Sequence, residues 1–257
     1  MKSTNRVLDI GSASTAGVRP DNQDRLAHFE SPFGHVFLLA DGMGGYSGGS
    51  IASSMATTTL PRLLDSLPPS MAPEAALSES IQSLNSTILA AGRNGGDGVE
   101  GMGSTLVVVL VRETSDGALA IGAHVGDSRI YFLRGRQLFC LTKDHTIVER
   151  LVDSGALTPE QAVDHPQAGV LTRALGRAEK LAIDLTSWKL LKPGDTFLLC
   201  SDGLSAYAPE DLIRDTLLGD DAPDVIARRL IDLALLNKSQ DNVSVLIFRV
   251  AAADVTR

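Results

Sequence analysis

Short runs of apolar residues, separated by turns rich in glycine and aspartate, dominate much of the chain. The run Val36–Ala40 is apolar at every position, which is typical of a strand buried on both faces. Between residues 105 and 141, apolar runs follow one another with short connections, which favours antiparallel pairing. The pattern predicts strands at Val7–Ser12, Arg25–Phe29, Val36–Ala40, Thr105–Arg112, Leu119–Val125, Ser128–Leu133, Gln137–Leu141, Ala182–Leu190, Thr196–Cys200 and Val243–Val250.

Longer segments with helical character lie between these strands. The predicted helix Ser50–Leu67 begins after a glycine-rich turn and ends before two prolines, which cannot continue it. The other predicted helices are the alanine-rich Pro73–Gly92, then Pro209–Leu217 and Ala222–Leu236, while residues 92–103 hold six glycines and form a loop. Antiparallel strand runs interrupted by helix pairs indicate an α+β fold in layers, with sheets inside and helices outside.

Residues 142–177 have a different character from the rest of the chain. Two helix-like segments, His145–Ser154 and Pro159–Val163, are set among polar connections that contain proline. We interpret this part as an insertion that lies over one edge of the sheets and does not belong to the core.

The composition limits the possible functions. Of 257 residues, 44% are hydrophobic and 4% are aromatic, so aliphatic side chains must fill most of a sizeable core. This length allows one domain or two small ones, and since no segment marks a boundary, a single domain over residues 1–257 is expected. The formal net charge of −8 argues against nucleic-acid or anionic-membrane partners, because both need basic surface.

Several features predict a soluble, cytoplasmic protein. The first residues lack an apolar signal core, and the longest strongly apolar run, Leu106–Val111, is far too short to cross a bilayer. Cys140 and Cys200 each lie in an apolar stretch. We expect both to act as small hydrophobic residues in a reducing compartment.

Four aspartates stand where apolar runs end, and they carry most of the chemical information in the sequence. They are Asp41, Asp127, Asp202 and Asp241. Strands far apart in sequence can bring such carboxylates together at one edge of the sheets, and hard divalent cations prefer carboxylate oxygens. The pattern therefore suggests an acidic pocket for Mg²⁺ or Mn²⁺.

A purely structural interpretation of each aspartate is the alternative, since Asp-Gly is a common turn and aspartate caps helices. Two features favour the metal site. Asp41 and Asp202 both follow a Phe-Leu-Leu run and precede glycine, and Arg19 lies upstream in an Arg-x-x-x-x-Asp segment that ends at Asp24. An acidic cluster with an arginine nearby has the composition of a phosphate site.

Eight segments, taken in order, resemble the bacterial type 2C metal-dependent Ser/Thr protein phosphatases: GVRPDNQD, DGMGG, GSTLVVV, GDSR, LTKDHT, LTRALG, SDGL and QDNVSVLI. The resemblance spans about residues 11–250. It implies a four-layer αββα sandwich of two antiparallel sheets flanked by helix pairs, with a dinuclear Mn²⁺ or Mg²⁺ site in a cleft at one end. It also implies a mobile flap insertion at about residues 147–169, where Asp153, Glu160 and His165 are available to a substrate.

The resemblance assigns metal-binding roles to individual residues. It implies that Asp41 bridges two metals and that Gly42 offers its backbone carbonyl to one of them. Asp202 and Asp241 match the carboxylates that complete the shell of the other metal. Asp127 matches a ligand of a third, weaker metal, which Asp202 would share.

The resemblance also implies the reaction and its partners. Arg19 matches the arginine that binds the substrate phosphate, and Asp24 matches an acid that orders metal-bound water, beside Gln23 where other members carry glutamate. The implied reaction is hydrolysis of phosphothreonine and phosphoserine by direct attack of a hydroxide held between the metals. Phosphorylated proteins and an opposing bacterial Ser/Thr kinase are the implied partners, and a monomer is the default.

Two positions depart from patterns in the family. Met43 stands where animal members carry a histidine proposed as the general acid, so protonation of the leaving group is assigned, as a hypothesis, to a metal-bound water. Tyr46 stands where bacterial relatives often have histidine, and either a role at the rim of the pocket or no role is compatible with the sequence.

Other polar residues near the motifs are expected to be structural. His145 is expected to link the last hairpin to the insertion, and Asp144 is expected to cap a helix. Ser104 and Thr105 are expected to pack beneath the metal site and not to act as nucleophiles.

Two alternative functions stay open on sequence alone. A catalytically inactive relative that binds phosphoproteins would usually lack a metal ligand, whereas Asp41, Asp202 and Asp241 are all present, together with Arg19. A hydrolase of small phosphate esters would use the same site, because two metals and an arginine recognise any phosphomonoester. Comparing rates on a phosphopeptide and on small esters separates these functions.

Overall fold

The computed structural model describes residues 8–44, 47–95 and 99–251. Its strands are β1 (Leu8–Thr15), β2 (Asp24–Ser31), β3 (Gly34–Met43), β4 (Gly103–Ser104), β5 (Leu106–Thr114), β6 (Gly117–Val125), β7 (Arg129–Arg134), β8 (Gln137–Cys140), β9 (Asp184–Leu185), β10 (Lys189–Leu190), β11 (Thr196–Cys200) and β12 (Val243–Val250). Its helices are α1 (Gly48–Asp65), α2 (Pro73–Asn94), α3 (Ile147–Asp153), α4 (Pro159–Val163), α5 (Asp202–Ser205), α6 (Glu210–Leu217) and α7 (Pro223–Leu236).

Two antiparallel sheets form the centre of the fold. Sheet A has the order β1-β12-β11-β7-β8, and sheet B has the order β10-β6-β5-β3-β2, with β4 paired to β3 and β9 paired to β6. In sheet A, β1 pairs with β12 from Leu8 opposite Val250 to Thr15 opposite Val243. This register places the residues that follow Thr15 beside those that precede Val243.

Strand β3 shows how the sequence pattern divides side chains between layers. Val36, Leu38 and Ala40 pack in the core that includes α1 and α2, whereas Phe37 and Leu39 lie in the core between the two sheets. Alternation with a period of two is the geometry of a strand. Because both faces of β3 are covered, its central run contains no polar residue.

Three apolar cores separate four layers. One core lies between sheet B and helices α1 and α2, and another lies between sheet A and helices α6 and α7. The third lies between the sheets, where the rings of Phe37 and Phe248 stack with centroids 4.1 Å apart. The predicted four-layer αββα sandwich of two antiparallel sheets is confirmed.

The outer helices bury one face each. In α1 and α2, larger apolar residues recur at helical spacing on the buried side: Leu60, Leu64, Leu77, Ile81, Leu84 and Ile88. This spacing places them on the stripe that faces the sheet. Within the described part of the chain, no helix combines the length and the apolar character needed to cross a membrane.

Two acidic positions differ from the sequence prediction in their local structure. Strand β3 continues to Met43, beyond the predicted end at Ala40, because Gly42 and Met43 pair with β4. Asp41 therefore lies inside a strand and not after its end. Asp202 is the first residue of helix α5, which is absent from the sequence prediction because four residues are too few to show a helical period.

The predicted strand Ala182–Leu190 is in fact two short strands, β9 and β10. Leu185 pairs with Ala123 and Lys189 pairs with Ala120, so the β9–β10 segment advances four positions while β6 advances three. The extra residue is a bulge, which interrupts the ladder and bends the strand. A single apolar pattern cannot distinguish a continuous strand from one broken in this way.

The two cysteines are free thiols in different surroundings. Cys200 is buried in β11, as predicted, and burial raises the pKa of its thiol. Cys140 is exposed, so the prediction that it packs as a small hydrophobic residue is wrong. The reason is that β8, which ends at Cys140, is one of the two edge strands of sheet A.

Candidate active site

Four of the acidic residues predicted from the sequence, Asp41, Asp127, Asp202 and Asp241, converge on one cleft at the end of the two sheets. Its volume is about 450 Å³. The residues that line it are Arg19, Pro20, Asp21, Gln23, Asp41, Gly42, Met43, Gly44, Thr105, Asp127, Gly169, Leu171, Asp202, Asp241 and Asn242. Asp24 does not line the cleft, but it lies directly opposite Asp41 in the β2–β3 ladder.

Sheet B supplies Asp24 and Asp41. Asp24 is 3% exposed, whereas Asp41 is half-buried and opens onto the cleft. Like charges directly opposite each other on an antiparallel pair are destabilising. These two carboxyl groups therefore need a shared proton or a cation between them.

Hydrogen bonds with Ser104, in β4, and with Thr105, between β4 and β5, fix the backbone of Asp41. The Asp41 N–H donates to Thr105 Oγ1 at 3.1 Å, and the Thr105 N–H donates to the Asp41 carbonyl at 2.8 Å. The Ser104 hydroxyl donates to the same carbonyl at 2.9 Å. Both residues are buried beside Asp41, as predicted, but Thr105 also lines the cleft.

The remaining carboxylates come from sheet A and from the connection between the sheets. Asp202 follows β11, Asp241 precedes β12, and Asp127 lies between β6 and β7. Gly126 adopts φ of +104°, and a Cβ at this position would lie 2.6 Å from Thr105 Cγ2. The glycine of the GDSR motif is therefore required for the turn that delivers Asp127.

The enclosed carboxyl groups raise the pKa values of one another. Removal from water, followed by the charges of the neighbouring aspartates, raises the pKa of Asp41 well above its usual range. Removal from water is also the main reason that the pKa of Asp202 rises to about 8 and that of Asp127 to about 7. Burial raises the pKa of Asp24 as well. Without a cation, these groups cannot all be ionised at neutral pH.

The donor set fits hard divalent cations. Among the described residues, Asp24 Oδ1 and Asp202 Oδ1 are buried atoms without a hydrogen-bond partner. Buried polar atoms are rarely left unsatisfied, and such exceptions can mark a place for an ion or water. Because the acidic side chains offer only oxygen ligands, Mg²⁺ and Mn²⁺ are among the ions that suit them.

Asp24 is held by a short chain of serine hydroxyls. Ser201 Oγ donates to Asp24 Oδ2 at 2.8 Å and accepts the Ser244 N–H at 3.0 Å. The Ser244 hydroxyl lies 2.7 Å from Ser14 Oγ. The network connects Asp24, on sheet B, to β1 and β12 of sheet A and leaves the other carboxyl oxygen of Asp24 uncommitted.

Arg19 lies at the rim of the cleft, with a side chain that is 53% exposed. Its Nε donates to the Gln240 carbonyl and its Nη2 donates to Asp241 Oδ2, each at 2.8 Å. The predicted phosphate-binding arginine is therefore in direct contact with one of the predicted metal-binding carboxylates.

A family model described as Protein phosphatase 2C matches residues 15–232. The chain belongs to the protein phosphatase 2C family. This confirms the resemblance found in the sequence and makes phosphoprotein phosphatase the enzyme class of the chain.

A curated relative is the serine/threonine protein phosphatase PstP of Mycobacterium tuberculosis (strain ATCC 25618 / H37Rv), 38% identical over 251 residues. These residues are 96% of this chain and 46% of PstP, so the chain spans about half the length of that relative.

Solved structures in the protein phosphatase 2C family have the same architecture. The S. agalactiae serine/threonine phosphatase gives a TM-score of 0.87 at 35% identity, and the match covers 95% of this chain and 100% of that one. The catalytic domain of PstP in complex with two manganese ions gives a TM-score of 0.81 at 36% identity, with coverage of 95% and 99%.

The flap of the phosphatase joins the body beside the cleft. Thr146 and Leu171 form an antiparallel bridge at its base, and Gly169 and Leu171 line the cleft. The flap helices α3 and α4 extend beyond this base. The residues of this segment that line the cleft, Gly169 and Leu171, are thus small or apolar, and both lie at its C-terminal end.

The three polar flap residues singled out from the sequence do not line the cleft. Asp153 pairs with Lys143, and His165 Nδ1 accepts the N–H of Gln167 at 3.2 Å. Glu160 lies in the first turn of α4 and is exposed.

Asp144 does not cap a helix, so that prediction is wrong. Its carboxylate accepts two hydrogen bonds from the Arg129 guanidinium, at 2.9 and 2.7 Å. Thr146 caps α3 instead, with its side chain accepting the Glu149 N–H. Arg129, the arginine of the GDSR motif, also donates to the Tyr131 hydroxyl at 3.0 Å, and it does not line the cleft.

His145 links the flap to the body, which confirms its predicted structural role. Its Nδ1 accepts the Gly126 N–H at 3.1 Å, so its Nε2 carries the proton and donates to Asp184 Oδ2 at 3.1 Å. His124, His145 and Asp184 lie close enough together to hold a metal ion. A metal on His145 Nε2 would move the proton of the neutral ring to Nδ1, which would then face the Gly126 N–H donor without accepting its hydrogen bond. In addition, the positively charged Arg173 lies close to Nε2, with its Nη1 at 3.1 Å. The cluster fits a structural network and not a metal centre.

Asn242 is a residue of the cleft that the sequence interpretation missed. It follows Asp241 in QDNVSVLI, and a lone asparagine in a motif gives no indication of which loops it contacts. Tyr46, for which a rim role stayed open, lies outside the described residues.

Proposed function

We propose that this phosphatase removes phosphate from phosphothreonine and phosphoserine in proteins, using two Mn²⁺ or Mg²⁺ ions. The observation that carries the proposal is the convergence of carboxyl groups from both sheets on one cleft with an arginine at its rim. A phosphate ester needs both positive charge on its oxygens and an activated nucleophile, and this combination can supply them.

Four residues are proposed that would hold the two ions: Asp41, Gly42 through its backbone carbonyl, Asp202 and Asp241. Asp127 would share a third ion with Asp202. When bound, the ions would lower the pKa of coordinated water and neutralise charge on the phosphoryl oxygens. The PstP catalytic domain was solved in complex with two manganese ions, which supports a site for two ions, and oxygen ligands suit Mn²⁺ and Mg²⁺ alike.

Arg19 is proposed to bind the substrate phosphate. Its guanidinium has five N–H donors, of which one on Nε and one on Nη2 are engaged by Gln240 and Asp241. The edge formed by Nη1 and Nη2 keeps three donors for a phosphate. A guanidinium can bond two phosphate oxygens at once, which a lysine does not reproduce.

Asp24 is proposed to orient water at the ions. Ser201 fixes one of its carboxyl oxygens, and the other has no partner among the described residues. A free oxygen on a buried carboxyl group held in one position can accept a hydrogen bond from a water molecule and set its direction.

Attack by water without a phosphoenzyme is supported by the residues that line the cleft. Thr105 carries the one hydroxyl among the described lining residues, and no cysteine or histidine is among them. The Thr105 hydroxyl is already bonded to Ser128 Oγ at 2.7 Å and to the Asp41 N–H. Among hydroxyl, thiol and imidazole groups, no lining side chain is therefore both nucleophilic and uncommitted, and four of the lining carboxyl groups are the ones proposed to hold the ions.

The function is tested by phosphate release from a phosphothreonine peptide and from p-nitrophenyl phosphate, each with Mn²⁺ and with EDTA. We expect turnover that needs Mn²⁺ and a higher kcat/KM on the peptide. Folded protein that releases no phosphate from either substrate with Mn²⁺ would exclude the catalytic function. A higher kcat/KM on the small ester would favour the alternative, a hydrolase of small phosphate esters.

Arg19→Ala is expected to lower kcat/KM on the peptide by about 10- to 100-fold, because a charge-assisted hydrogen bond contributes about 1.5–3 kcal/mol. Arg19→Lys should recover only part of this loss, since it restores the charge without the fork. Steady-state kinetics at saturating Mn²⁺ measure both effects. Arg93→Ala is the matched control, because Arg93 is also exposed and paired with an acid, Glu179, but does not line the cleft. Equal losses in both variants would contradict the role of Arg19.

Three further proposals rest on the sequence and its resemblance. They are a single phosphatase domain over residues 1–257, an opposing Ser/Thr kinase, and a monomeric, cytoplasmic enzyme. Size-exclusion chromatography with light scattering tests the oligomeric state directly.

A further inference from the structure

The loop between β1 and β2, residues 16–23, carries Arg19 and forms one wall of the cleft. Its residues are mostly exposed or half-buried, and Val18, next to Arg19, is 66% exposed. A loop of this kind has little apolar packing of its own to fix it. Its position must come from hydrogen bonds to the body of the protein.

One buried side chain supplies three of these hydrogen bonds. Asn242 is 6% exposed and directly precedes β12. Its Oδ1 accepts the Gln23 N–H at 2.8 Å, and its Nδ2 donates to the Ala16 carbonyl at 3.1 Å and to the Asp21 carbonyl at 2.9 Å. Both N–H donors of the amide are used. The three partners are the first residue of the loop, Ala16, its last residue, Gln23, and Asp21 between them.

The backbone beside Asn242 meets the same loop on its other side. Gly17 adopts φ of +60°, and a Cβ at this position would lie 2.6 Å from the Asp241 carbonyl oxygen. The Gln240 carbonyl and the Asp241 carboxylate accept the two hydrogen bonds from Arg19. Residues 240–242 thus hold both the loop and the guanidinium at its tip.

We propose that Asn242 is a positioning residue for phosphate binding, acting through Arg19. By fixing the ends of the loop, it keeps Nε and Nη2 of Arg19 on their two acceptors and leaves the other edge of the guanidinium free for phosphate. The inference rests on the proposed role of Arg19 as the phosphate contact. Asn242 itself is not assigned a contact with the substrate.

The physical advantage is preorganisation. A free arginine side chain has many rotamers, and binding phosphate would have to restrict them at a cost in entropy. When the loop is fixed, this ordering is complete before the substrate arrives. Loss of Asn242 should therefore weaken phosphate binding without removing any donor from the phosphate.

Asparagine has properties here that aspartate lacks. The side chain faces one N–H and two carbonyl oxygens, so it must offer one acceptor and two donors. An aspartate would place a charged acceptor against the Ala16 and Asp21 carbonyls, beside Asp241. The asparagine in the Asp-Asn pair of QDNVSVLI is explained by this requirement.

The test compares Asn242→Ala with Asn85→Ala. Asn85 is also buried, and its amide also accepts a backbone N–H, from Gly176, and donates to a backbone carbonyl, that of Ala178. It does not line the cleft. Both variants should lose thermal stability. Only Asn242→Ala should raise the inhibition constant of inorganic phosphate and the KM for the peptide, by about tenfold, with a smaller change in kcat.

Manganese titration by calorimetry gives a readout that does not depend on activity. The backbone N–H of Asn242 donates to Asp241 Oδ1 at 2.8 Å, and this bond survives the substitution. We therefore expect the Mn²⁺ affinity of Asn242→Ala to stay within about threefold of the wild type. If Mn²⁺ affinity falls as far as phosphate affinity does, Asn242 supports the metal ligands and the inference is wrong.

A double variant decides whether Asn242 acts through Arg19. In an Arg19→Ala background, Asn242→Ala should cause no further rise in the inhibition constant of phosphate. Additive effects would overturn the inference. If Arg19→Ala alone leaves phosphate affinity unchanged, the proposed role of Arg19 fails. If Arg19→Ala weakens phosphate binding and Asn242→Ala does not, only this inference fails. Asn242→Ser serves in every comparison if the alanine variant does not fold.

Discussion

Replacing Asp202 with asparagine is expected to reduce peptide turnover by more than about 100-fold, the upper end of the loss seen when an outer partner of a metal ligand is removed. The same change should make the metal-free protein more stable, because asparagine cannot ionise, whereas Asp202 must take up a proton on folding or carry a charge in a crowded group of carboxyls. Neighbouring Asp127, Asp241 and Asp24 all oppose the ionisation of Asp202. An unchanged affinity for Mn²⁺ would show that Asp202 is not a metal ligand.

Asp195→Asn is the matched control for this experiment. Asp195 is buried just before β11, whereas Asp202 follows that strand, so the two acids stand at opposite ends of the same element. Asp195 pairs with Arg134 through two hydrogen bonds, at 2.9 and 2.6 Å. Its replacement should destabilise the protein by breaking that pair, and Mn²⁺ binding should be retained. Thermal unfolding in EDTA distinguishes the two variants by the opposite signs of their changes in stability. Calorimetric titration distinguishes them by their affinity for Mn²⁺.

Metal-free protein is expected to lose stability as the pH rises from 6.5 to 8.5. The pKa values of Asp127 and Asp202 are raised, to about 7 and about 8, so the folded state holds protons that the unfolded state has released. Stability from these groups is complete below their unfolded pKa, near 4, and is lost as the pH rises through the folded values. We expect a fall in Tm of about 3 °C or more.

Two histidines make an opposing contribution at the lower end of this pH range. Burial lowers the pKa values of His124 and His145, so these groups add stability as the pH rises through their usual range near 6.5. Their contribution becomes constant within about one pH unit above 6.5, so the carboxyl effect is seen alone in the upper half of the interval.

Thermal unfolding in EDTA and in Mn²⁺ measures this effect. Bound Mn²⁺ should remove the loss or reverse it, because ionised carboxylates then bind the ion and ligand binding stabilises the folded state. In Asp202→Asn the slope in EDTA should be smaller. A Tm that stays constant or rises from pH 6.5 to 8.5 in EDTA would contradict the electrostatic description of the cleft.

Much of the fold follows from patterns that are local in sequence. Strands β11 and β12 and helix α4 have the predicted bounds, because each is a clear apolar run or a proline-started turn between strong breaks. Other boundaries depend on partners distant in sequence. Strand β3 passes beyond Ala40 because Asp41 pairs with Asp24 of β2 and because Gly42 and Met43 pair with β4, and no local pattern reveals these pairings.

The candidate site divides in the same way. Its carboxylates could be found from motifs, since each stands next to glycine or at the end of an apolar run. The contact between Arg19 and Asp241 could not, because it joins residues 222 positions apart. It exists because β1 and β12 pair along their whole lengths and bring two loops together. The error on Asp144 has a similar cause: its partner, Arg129, belongs to a different motif.

The pairing of Leu8 with Val250 also has a consequence for how the protein is made. Strand β12 lies inside sheet A, between β1 and β11, although it is the last strand along the described chain. The ribosome must therefore synthesise residues 241–250 before β12 can pair with β1 and β11 in sheet A. Only then are Asp241 and Asn242 present to line the cleft. Contacts this distant in sequence slow folding, because a long loop has to close first. We expect the nascent chain to be inactive until this strand emerges, and its earlier strands to depend on chaperones until then.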